Sequence, residues 1–283
     1  MILYKKAGEL HNWLESQRKK GVRTGFVPTM GALHAGHISL IKAAQNDNGI
    51  TVCSIFVNPT QFNDPEDFKK YPVTIERDMD VLLEAGCDVL FLPELTEIYP
   101  DASSQKKHYS LGYLESILEG KFRPGHFQGV CMVVHRLLEI VLPDNLYLGQ
   151  KDYQQCMVIH KLLELTGLQE KIRLTICPTL REPDGLAMSS RNMRLNETDR
   201  KAAAGIFQCL SFIKENITPG SLEPLLQESA ALLASMGFKP DYVTIADAED
   251  LSPVIDWDGK RSLQALVAAF LHDVRLIDNM RVS

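Results

Sequence analysis

The sequence of 283 residues lacks the features that mark membrane, secreted and repeat proteins. No apolar run reaches the roughly 18 residues that a membrane-spanning helix needs, and the segment Met1 to Lys6 contains no signal-peptide core. No segment is repeated or of low complexity. We therefore expect a soluble, cytoplasmic protein without a membrane partner. With 45% hydrophobic residues, the chain can bury the core of one large or two modest domains.

Cysteine pairs with metal-ligand spacing are also missing. The chain contains six cysteines, but none of them form a Cys-x-x-Cys pair. Most lie within apolar stretches, which predicts buried thiols rather than disulfides or zinc ligands. The cysteines are Cys53, Cys87, Cys131, Cys156, Cys177 and Cys209.

An excess of positive charge is absent as well. The chain has 30 Lys and Arg residues against 36 Asp and Glu residues, a formal net charge of −6. This balance argues against a general nucleic-acid surface. Any polyanionic ligand must therefore be bound by a few local cations.

Strand-like and helix-like segments alternate up to residue 177, which predicts an α/β fold with a Rossmann-like parallel sheet. The segment at 50–57 is too uniformly apolar for an exposed strand, as expected for a strand inside a parallel sheet, whereas 172–177 alternates. We predict strands at 25–28, 50–57, 89–92, 145–148 and 172–177, and helices at 8–20, 36–48, 74–86 with Thr74 as its cap, 130–141 and 149–167.

The pattern changes after residue 191. Helices near 198–214 and 221–236 precede strands at 242–246 and 263–270, with no further phosphate-type turn. This predicts a smaller α+β domain, and we place the domains at 1–179 and 180–283. We expect the second domain to act as a lid over a nucleotide site.

Two histidines lie where the first buried strand is followed by a helix. His34 and His37 belong to a His-x-Gly-His sequence directly after the Met30-Gly31 turn. A helix start offers unpaired N–H groups and about half a positive charge to an anion, and imidazole adds donors. Gly36 lets the backbone approach a ligand. The alternative is an ordinary turn that happens to carry two histidines, and we favour the anion site.

Polar residues follow two other strands of the predicted sheet. Asn58 and Gln61 come after the strand at 50–57, and Gly149 to Asp152 come after the strand at 145–148. Ligands of open α/β sheets bind at the carboxyl ends of strands. Lys151 at a helix start suits phosphate, and Gln155 lies about one turn further on the same face. A polar loop and a surface lysine are the alternatives.

Arg123 and His126 form a further candidate pair, in a turn before the helix at 130–141. They place a cation and an imidazole where an anion can be contacted. A solvated turn is at least as good an interpretation for each of them. Their roles stay open.

The His-x-Gly-His sequence resembles the signature of the nucleotidylyltransferase superfamily, which includes class I aminoacyl-tRNA synthetases. There the histidines hold the triphosphate of ATP. Met188 to Arg191 resembles the second signature of that superfamily, a mobile loop that closes over the triphosphate. It departs from the Lys-Met-Ser-Lys-Ser form, because Ala187 replaces the leading lysine. Arg191 and Lys151 must then supply the positive charge.

Four blocks together resemble the pantoate–β-alanine ligase family, the pantothenate synthetases. They are Pro28 to His37, Phe56 to Phe62, Gly149 to Gln155 and Asp184 to Asn192. The resemblance implies a ligase that uses ATP and Mg²⁺, acts as a homodimer, and condenses (R)-pantoate with β-alanine through a pantoyl adenylate, releasing AMP and pyrophosphate.

Site residues follow from the resemblance by position. His37 and His34 are implied as catalytic, Gln61 and Gln155 as pantoate-binding, and Gln61 also as β-alanine-binding. The implied ATP-binding residues are Met30, Gly31, Ala32, Leu33, His34, Ala35, Gly36, His37, Gly149, Gln150, Lys151, Asp152, Leu180, Met188, Ser189, Ser190 and Arg191.

Two other functions stay open at this point. One is a nucleotidylyltransferase that joins a nucleotide to a phosphorylated substrate, which the residues around Gln61 and Gln155 disfavour. The other is a nucleotide sensor without turnover, which leaves the histidine pair and the lid-like loop unexplained. The metal ligands are unknown, with Asp78 and Asp152 as guesses only.

Overall fold

The short apolar runs form parallel strands in the structure, a computed structural model that describes residues 1–101 and 107–283. Within these ranges, β1 to β6 form one parallel sheet in the order β1-β4-β3-β2-β5-β6. Their bounds are β1 (Ile2–Tyr4), β2 (Thr24–Thr29), β3 (Ile50–Ile55), β4 (Val89–Phe91), β5 (Asn145–Gly149) and β6 (Arg173–Cys177).

Helices connect these strands, as the alternating pattern predicted. They are α1 (Ala7–Arg18), α2 (Ala35–Asp47), α3 (Pro65–Lys69), α4 (Ile75–Glu84), α5 (Leu95–Ile98), α6 (Leu118–Phe122), α7 (His126–Val141) and α8 (Tyr153–Thr166). Thr74 precedes α4, but its hydroxyl makes no capping bond and donates instead to Asp78 Oδ1 at 3.1 Å. Thr74 is thus the N-cap residue, as predicted, but without a side-chain capping bond.

One core of this region lies between the sheet and the helices α2 and α4. Val27, Cys53 and Leu90 from the strands pack with Ile41 of α2 and Leu82 of α4, and all five are fully buried. The order of the strands reverses between β2 and β5, which are neighbours in the sheet. In open α/β sheets the carboxyl ends of strands at such a reversal form the ligand crevice. The histidine turn follows β2 directly.

The remainder of the chain forms an antiparallel sheet covered by helices. In the described residues, β8, β10 and β11 pair in the order β11-β10-β8, and β7 pairs with β9. The elements are α9 (Glu197–Ala202), α10 (Gly205–Asn216), β7 (Gly220–Ser221), α11 (Glu223–Ser235), β8 (Phe238–Asp247), β9 (Asp256–Trp257), β10 (Leu263–Leu271) and β11 (Val274–Arg281).

The predicted single helix at 198–214 is wrong, because the chain turns between α9 and α10. Ala203 and Ala204 in this turn are buried. A Cβ added at Gly205 would lie 2.8 Å from Met236 Sδ, so the turn packs closely against the end of α11. Strand β11 was not predicted at all.

The chain divides into two compact units. The first comprises Met1–Gly149 and Gln155–Pro178, and the second comprises Gln150–Gln154 and Thr179–Ser283. The fold class is thus confirmed as a parallel α/β region with a smaller α+β region. The five residues Gln150–Gln154 group with the second unit.

All six cysteines are free and buried, as predicted. Burial raises the pKa of the Cys87 thiol to about 11 and that of the Cys131 thiol to about 12. Such thiols stay protonated and unreactive at neutral pH. Within the described ranges, no helix is both long and apolar enough to cross a membrane.

Candidate active site

A buried carboxylate shapes the turn between β2 and α2. Asp78 of α4, 1% exposed, accepts a hydrogen bond from Ala32 N at 2.8 Å and from Leu33 N at 2.7 Å. Gly31 has a φ of +83°, and a Cβ there would lie 3.0 Å from Asp78 Oδ2. Only glycine combines this backbone conformation with so close an approach. The turn is therefore held by charge and by the absence of a side chain.

His34 is the N-cap residue of α2, and His37 lies in its first turn. In each histidine, Nδ1 accepts a hydrogen bond from a backbone N–H group. His34 Nδ1 accepts from Gly36 N at 3.2 Å, and His37 Nδ1 accepts from His34 N at 3.3 Å. A ring nitrogen that accepts carries no proton, so each neutral ring carries its proton on Nε2. The ring centroids lie 4.1 Å apart. The arrangement gives two adjacent imidazoles that each carry the ring proton on Nε2.

Gln61 lies in a buried network that begins in the 3₁₀ turn Pro59–Gln61. Its Oε1 accepts from Asn58 Nδ2 at 3.3 Å, and Asn58 Nδ2 also donates to Gly129 O at 3.1 Å. Asn58 Oδ1 accepts in turn from Tyr99 OH at 3.0 Å. Asn58 is 1% exposed, so this amide is a structural anchor for Gln61.

His126 holds the backbone of Gln61. A carbonyl can only accept, so the contact of 2.8 Å between His126 Nδ1 and Gln61 O places the proton on Nδ1. His126 Nε2 then accepts from Arg123 Nη1 at 3.1 Å. His126 is only 5% exposed, which excludes the solvated turn for this residue. The His126–Arg123 pair therefore fixes the position of the Gln61 backbone.

The structure joins two of the predicted sets of residues within the first unit. Gln61 Nε2 lies 3.2 Å from Met30 Sδ, so the amide predicted for pantoate contacts the turn predicted for ATP. Gln155, the other predicted pantoate residue, is half-buried in the first turn of α8.

Lys151 lies before α8 and not on it. Gln150–Asp152 form a 3₁₀ turn, and the α-helix begins at Tyr153, so the predicted helix start near Gly149 is wrong. The carbonyls of Gln150 and Lys151 accept instead from Asn279 Nδ2, at 3.0 and 2.8 Å. Lys151 therefore does not share a face of the α-helix with Gln155. Its side chain is 17% exposed, and Nζ lies 3.9 Å from Asp152 Oδ1.

The segment from Leu180 to Ala187 is a tight hairpin-like loop. Arg181 and Ala187 form an antiparallel bridge, and Met188 N donates to Leu180 O at 3.0 Å. This brings together two of the predicted ATP residues, Leu180 and Met188. Gly185 has a φ of +90°, and a Cβ there would lie 2.0 Å from the Phe207 ring.

A 3₁₀ turn follows this loop, with Ser189 as its N-cap residue and Ser190 and Arg191 at its start. Ser189 Oγ accepts from Arg191 N at 3.3 Å, and the turn extends over Ser190–Arg194. Ser190 is 8% exposed. Asn192 Nδ2 donates to Ala187 O at 3.0 Å, which ties the turn to the end of the loop.

A buried ion pair fixes the base of the loop. Arg181 donates to both oxygens of Asp278, at 2.5 and 3.1 Å, and Arg181 Nη1 also donates to Gly185 O at 3.0 Å. Asp278 is 3% exposed. Burial raises the pKa of the Asp278 carboxyl, while the hydrogen bond and charge of Arg181 oppose that rise.

The acidic residues considered for a metal differ in their surroundings. Asp78 uses both oxygens on the histidine turn and on Thr74. Asp152 is 49% exposed at its side chain. Among residues 1–101 and 107–283, no three His, Cys, Asp or Glu side chains group as a metal site. Of the two carboxylates, that of Asp152 is the one exposed enough to approach a bound cation.

Sequence reasoning missed the residues that hold these segments. Asp78 was considered only for a metal, and Asp278 and Asn279 were not considered. The buried position of Asp78 on the apolar face of α4, next to Leu82, was the available signal. For Asp278 and Asn279, no pattern in the sequence indicated a partner.

Comparisons with known proteins support a specific family. The model of the pantoate-beta-alanine ligase family matches residues 2–281. The pantothenate synthetase of Cytophaga hutchinsonii is 44% identical over 99% of both chains. That of Pseudomonas fluorescens is also 44% identical, over 100% of this chain and 98% of its own.

Solved structures agree in fold over the whole length. The pantothenate synthetase of Thermus thermophilus is 38% identical, with a TM-score of 0.90 and coverage of 100% of this chain and 99% of its own. The pantoate-beta-alanine ligase of Francisella tularensis, complexed with beta-gamma ATP and beta-alanine, is 39% identical, with a TM-score of 0.82 and coverage of 99% and 97%.

Proposed function

The chain is an enzyme that belongs to the pantoate-beta-alanine ligase family, and on this basis we propose that it makes pantothenate in two steps. In the first, a carboxylate oxygen of (R)-pantoate attacks the α-phosphorus of ATP, and the bond to pyrophosphate breaks. In the second, the amine of β-alanine attacks the acyl carbon of pantoyl adenylate, and AMP leaves. Pantothenate, AMP and pyrophosphate are the products.

One contact carries this proposal. Gln61 Nε2 lies 3.2 Å from Met30 Sδ, so a neutral amide adjoins the turn that bears the histidines. The other side-chain partner of that amide is Asn58, which is also neutral. Neutral amides suit the hydroxyls and carboxylate of pantoate, since each offers two donors and an acceptor. A phosphorylated acceptor would call for cations at this position.

Catalysis of the first step must overcome repulsion between two anions. Positioning and fixed electrostatic donors supply most of the rate in such reactions. We assign His37 and His34 as the catalytic pair, with their Nε2 protons directed to phosphate oxygens. The Nδ1 bonds to the backbone support this role, because they fix each ring with Nε2–H as the donor.

The proposed ATP contacts combine positive charge with neutral hydrogen-bond donors. Lys151 and Arg191 supply positive charge, and the hydroxyls of Ser189 and Ser190 supply donors. The full set is Met30, Gly31, Ala32, Leu33, His34, Ala35, Gly36 and His37 together with Gly149, Gln150, Lys151, Asp152, Leu180, Met188, Ser189, Ser190 and Arg191. Family resemblance and the chemistry of these side chains support it.

The acid and the amine are assigned to two glutamines. We propose that Gln61 and Gln155 hold pantoate and that Gln61 also contacts β-alanine. The anchoring of Gln61 by Asn58 and His126 supports this, because a binding amide must be held in one orientation. The adenylate hydrolyses in water, which gives the loop at 184–192 and the proposed lid domain their purpose.

Mg²⁺, a homodimer and a cytoplasmic location complete the proposal, and all three rest on family resemblance. Mg²⁺ would neutralise charge on the triphosphate when bound. Asp152 is the exposed carboxylate adjacent to Lys151 and is our candidate to approach it.

Isotope exchange between pyrophosphate and ATP without β-alanine tests the proposal. We expect exchange that requires both (R)-pantoate and Mg²⁺, because the first step is complete and reversible without the amine. Adding β-alanine should then drain the intermediate to pantothenate and AMP. A nucleotidylyltransferase would need a phosphorylated acceptor instead, and a sensor would show no exchange. Folded protein without pantoate-dependent exchange would overturn the proposal.

A further inference from the structure

A single buried amide holds the backbone that carries Lys151. Asn279 of β11 donates both Nδ2 hydrogens, one to Gln150 O at 3.0 Å and one to Lys151 O at 2.8 Å. All donors of this amide are thereby used. These bonds lie within the second unit, which includes Gln150–Gln154.

A second amide fixes the orientation of the first. Gln264 of β10 donates from Nε2 to Asn279 Oδ1 at 2.7 Å. Because Oδ1 must face Gln264, Nδ2 must face the two carbonyls. Asn279 is 3% exposed and Gln264 is 1% exposed, so water cannot easily replace either bond. The pair acts as a rigid polar support.

The neighbouring residue on β11 supports the other segment of this unit. Asp278 binds Arg181, and Arg181 Nη2 also donates to Asn279 O at 3.3 Å. Two consecutive residues of one strand therefore anchor both the 3₁₀ turn with Lys151 and the loop that precedes Met188. If Asp278 and Asn279 had only a general structural role, there would be no reason for both to contact segments that are assigned to ATP.

From this geometry we infer that Asn279 is a positioning residue for ATP, which fixes the carbonyls of Gln150 and Lys151 and thereby directs the Lys151 ammonium group toward the phosphates. The inference deepens the proposed function and rests on it, since Lys151 is assigned to ATP there. Asn279 itself touches no reacting atom.

The test measures the dissociation constant of Mg²⁺-ATP by calorimetry on the full chain. Asn279→Ala should weaken binding by about tenfold, the lower end of what a hydrogen bond to a charged group contributes. Lys151→Ala should cause a comparable loss. In the double variant, the added loss beyond Lys151→Ala should stay within about twofold, since both changes remove the same interaction.

Ser229→Ala is the matched control. Ser229 is fully buried in α11 of the same unit, and its hydroxyl donates to Leu225 O at 2.7 Å. This variant loses a buried hydrogen bond without touching the Lys151 segment. Its affinity for Mg²⁺-ATP should equal that of the unaltered chain, whatever its thermal stability.

Independent losses for Asn279→Ala and Lys151→Ala, multiplying in the double variant, would overturn the inference, as would unchanged affinity in Asn279→Ala. If Asn279→Ala does not fold, Gln264→Leu replaces it, because this variant frees the Asn279 amide to rotate at nearly constant volume. It should weaken binding by about threefold, again only when Lys151 is present; full affinity would count against the inference.

The same calorimetry separates this inference from the proposed function. A chain that binds Mg²⁺-ATP but shows no pantoate-dependent exchange overturns the ligase proposal, while the affinity of Asn279→Ala still decides the role of Asn279. A chain that exchanges normally, with unchanged ATP affinity in Asn279→Ala, overturns only the positioning role. A chain that binds no Mg²⁺-ATP overturns both.

Discussion

The histidine turn and the Lys151 segment are both proposed ATP contacts, but buried side chains hold them in opposite ways. Asp78 accepts from N–H groups of the turn, whereas Asn279 donates to carbonyls of the Lys151 segment. In the turn, Asp78 accepts from the N–H groups of Ala32 and Leu33, and His34 N and Gly36 N donate to the histidine rings, so anion binding there falls to the imidazoles. In the Lys151 segment, the negative ends of two peptide dipoles are neutralised. The choice of anchor thus decides which groups remain to meet an anion.

Removing an imidazole from the histidine turn should cause the largest loss of activity. We expect His37→Ala to lower kcat by about 10²–10³, the usual loss for one transition-state donor, with the fold intact. His34→Ala should show a similar loss with a larger part in the KM for ATP. Steady-state kinetics and circular dichroism measure both.

His160→Ala is the control for this experiment, because the His160 side chain is 62% exposed on α8. It should keep normal turnover. A folded His37→Ala enzyme with near-normal kcat would show that the histidine turn is not the reacting site.

Replacing the acceptor of the turn should have the next largest effect. Asp78→Asn keeps the shape of the side chain but directs an amide donor at backbone N–H groups. We expect kcat/KM for ATP to fall by about 10–100-fold and the free energy of unfolding to fall by about 1–3 kcal/mol. Urea denaturation and kinetics test the two effects separately.

Asp80→Asn, on the same helix and exposed, changes the same chemical group outside the turn. It should alter neither quantity. Equal effects of the two substitutions would show that the negative charge of α4, rather than the hydrogen bonds of Asp78, supports the turn.

Gly185→Ala tests how tightly the loop from Leu180 to Ala187 packs in the second unit. Its backbone φ is +90°, and a Cβ would lie 2.0 Å from Phe207. We expect the free energy of unfolding to fall by about 1–3 kcal/mol, because the loop must shift against a ring. Gly8→Ala is the control, since Gly8 lies in α1 with open space around it. A thermal shift in Gly185→Ala no larger than in Gly8→Ala would contradict the tight packing of the loop.

Hydrogen exchange should reveal the smallest effect. Saturating Mg²⁺-ATP should slow exchange at Ser189, Ser190 and Arg191 by about three- to tenfold, because the ligand orders that turn. Glu182 N and Gly185 N bond to backbone carbonyls at 2.8 and 2.9 Å and should change little, whereas Arg191 N bonds to the Ser189 hydroxyl at 3.3 Å. Identical rates at 184–192 with and without ligand would argue against a closing loop.

The inner strands β3, β4 and β5 could be predicted because they are buried on both faces. The runs that became β3 and β5 needed no knowledge of their partners, since burial in a parallel sheet demands such residues. Histidines and glycines at the end of β2 were equally visible, and the fold class and family were confirmed.

Strand β11 could not be predicted, because it buries polar residues as well as apolar ones. Its polar residues Asp278 and Asn279 are buried, and their partners Arg181 and Lys151 lie 97 and 128 positions away in the chain. The three-residue strand β1 is too short to show a period. Asp78 differs, because its place on the apolar face of α4 was visible, although its partner is a backbone 45 positions earlier. The site assignments themselves stay predictions.

The contact of α7 with the 3₁₀ turn at Pro59–Gln61 has a consequence for genetics. A Cβ added at Gly129 would lie 2.3 Å from Thr60 O, so even alanine would push the turn with Gln61 away from the helix. A saturation library should therefore reject every codon but glycine at position 129. Such intolerance would resemble that of a reactive residue. Gly129 has no side chain, however, and what excludes other residues is only the short distance between α7 and the 3₁₀ turn.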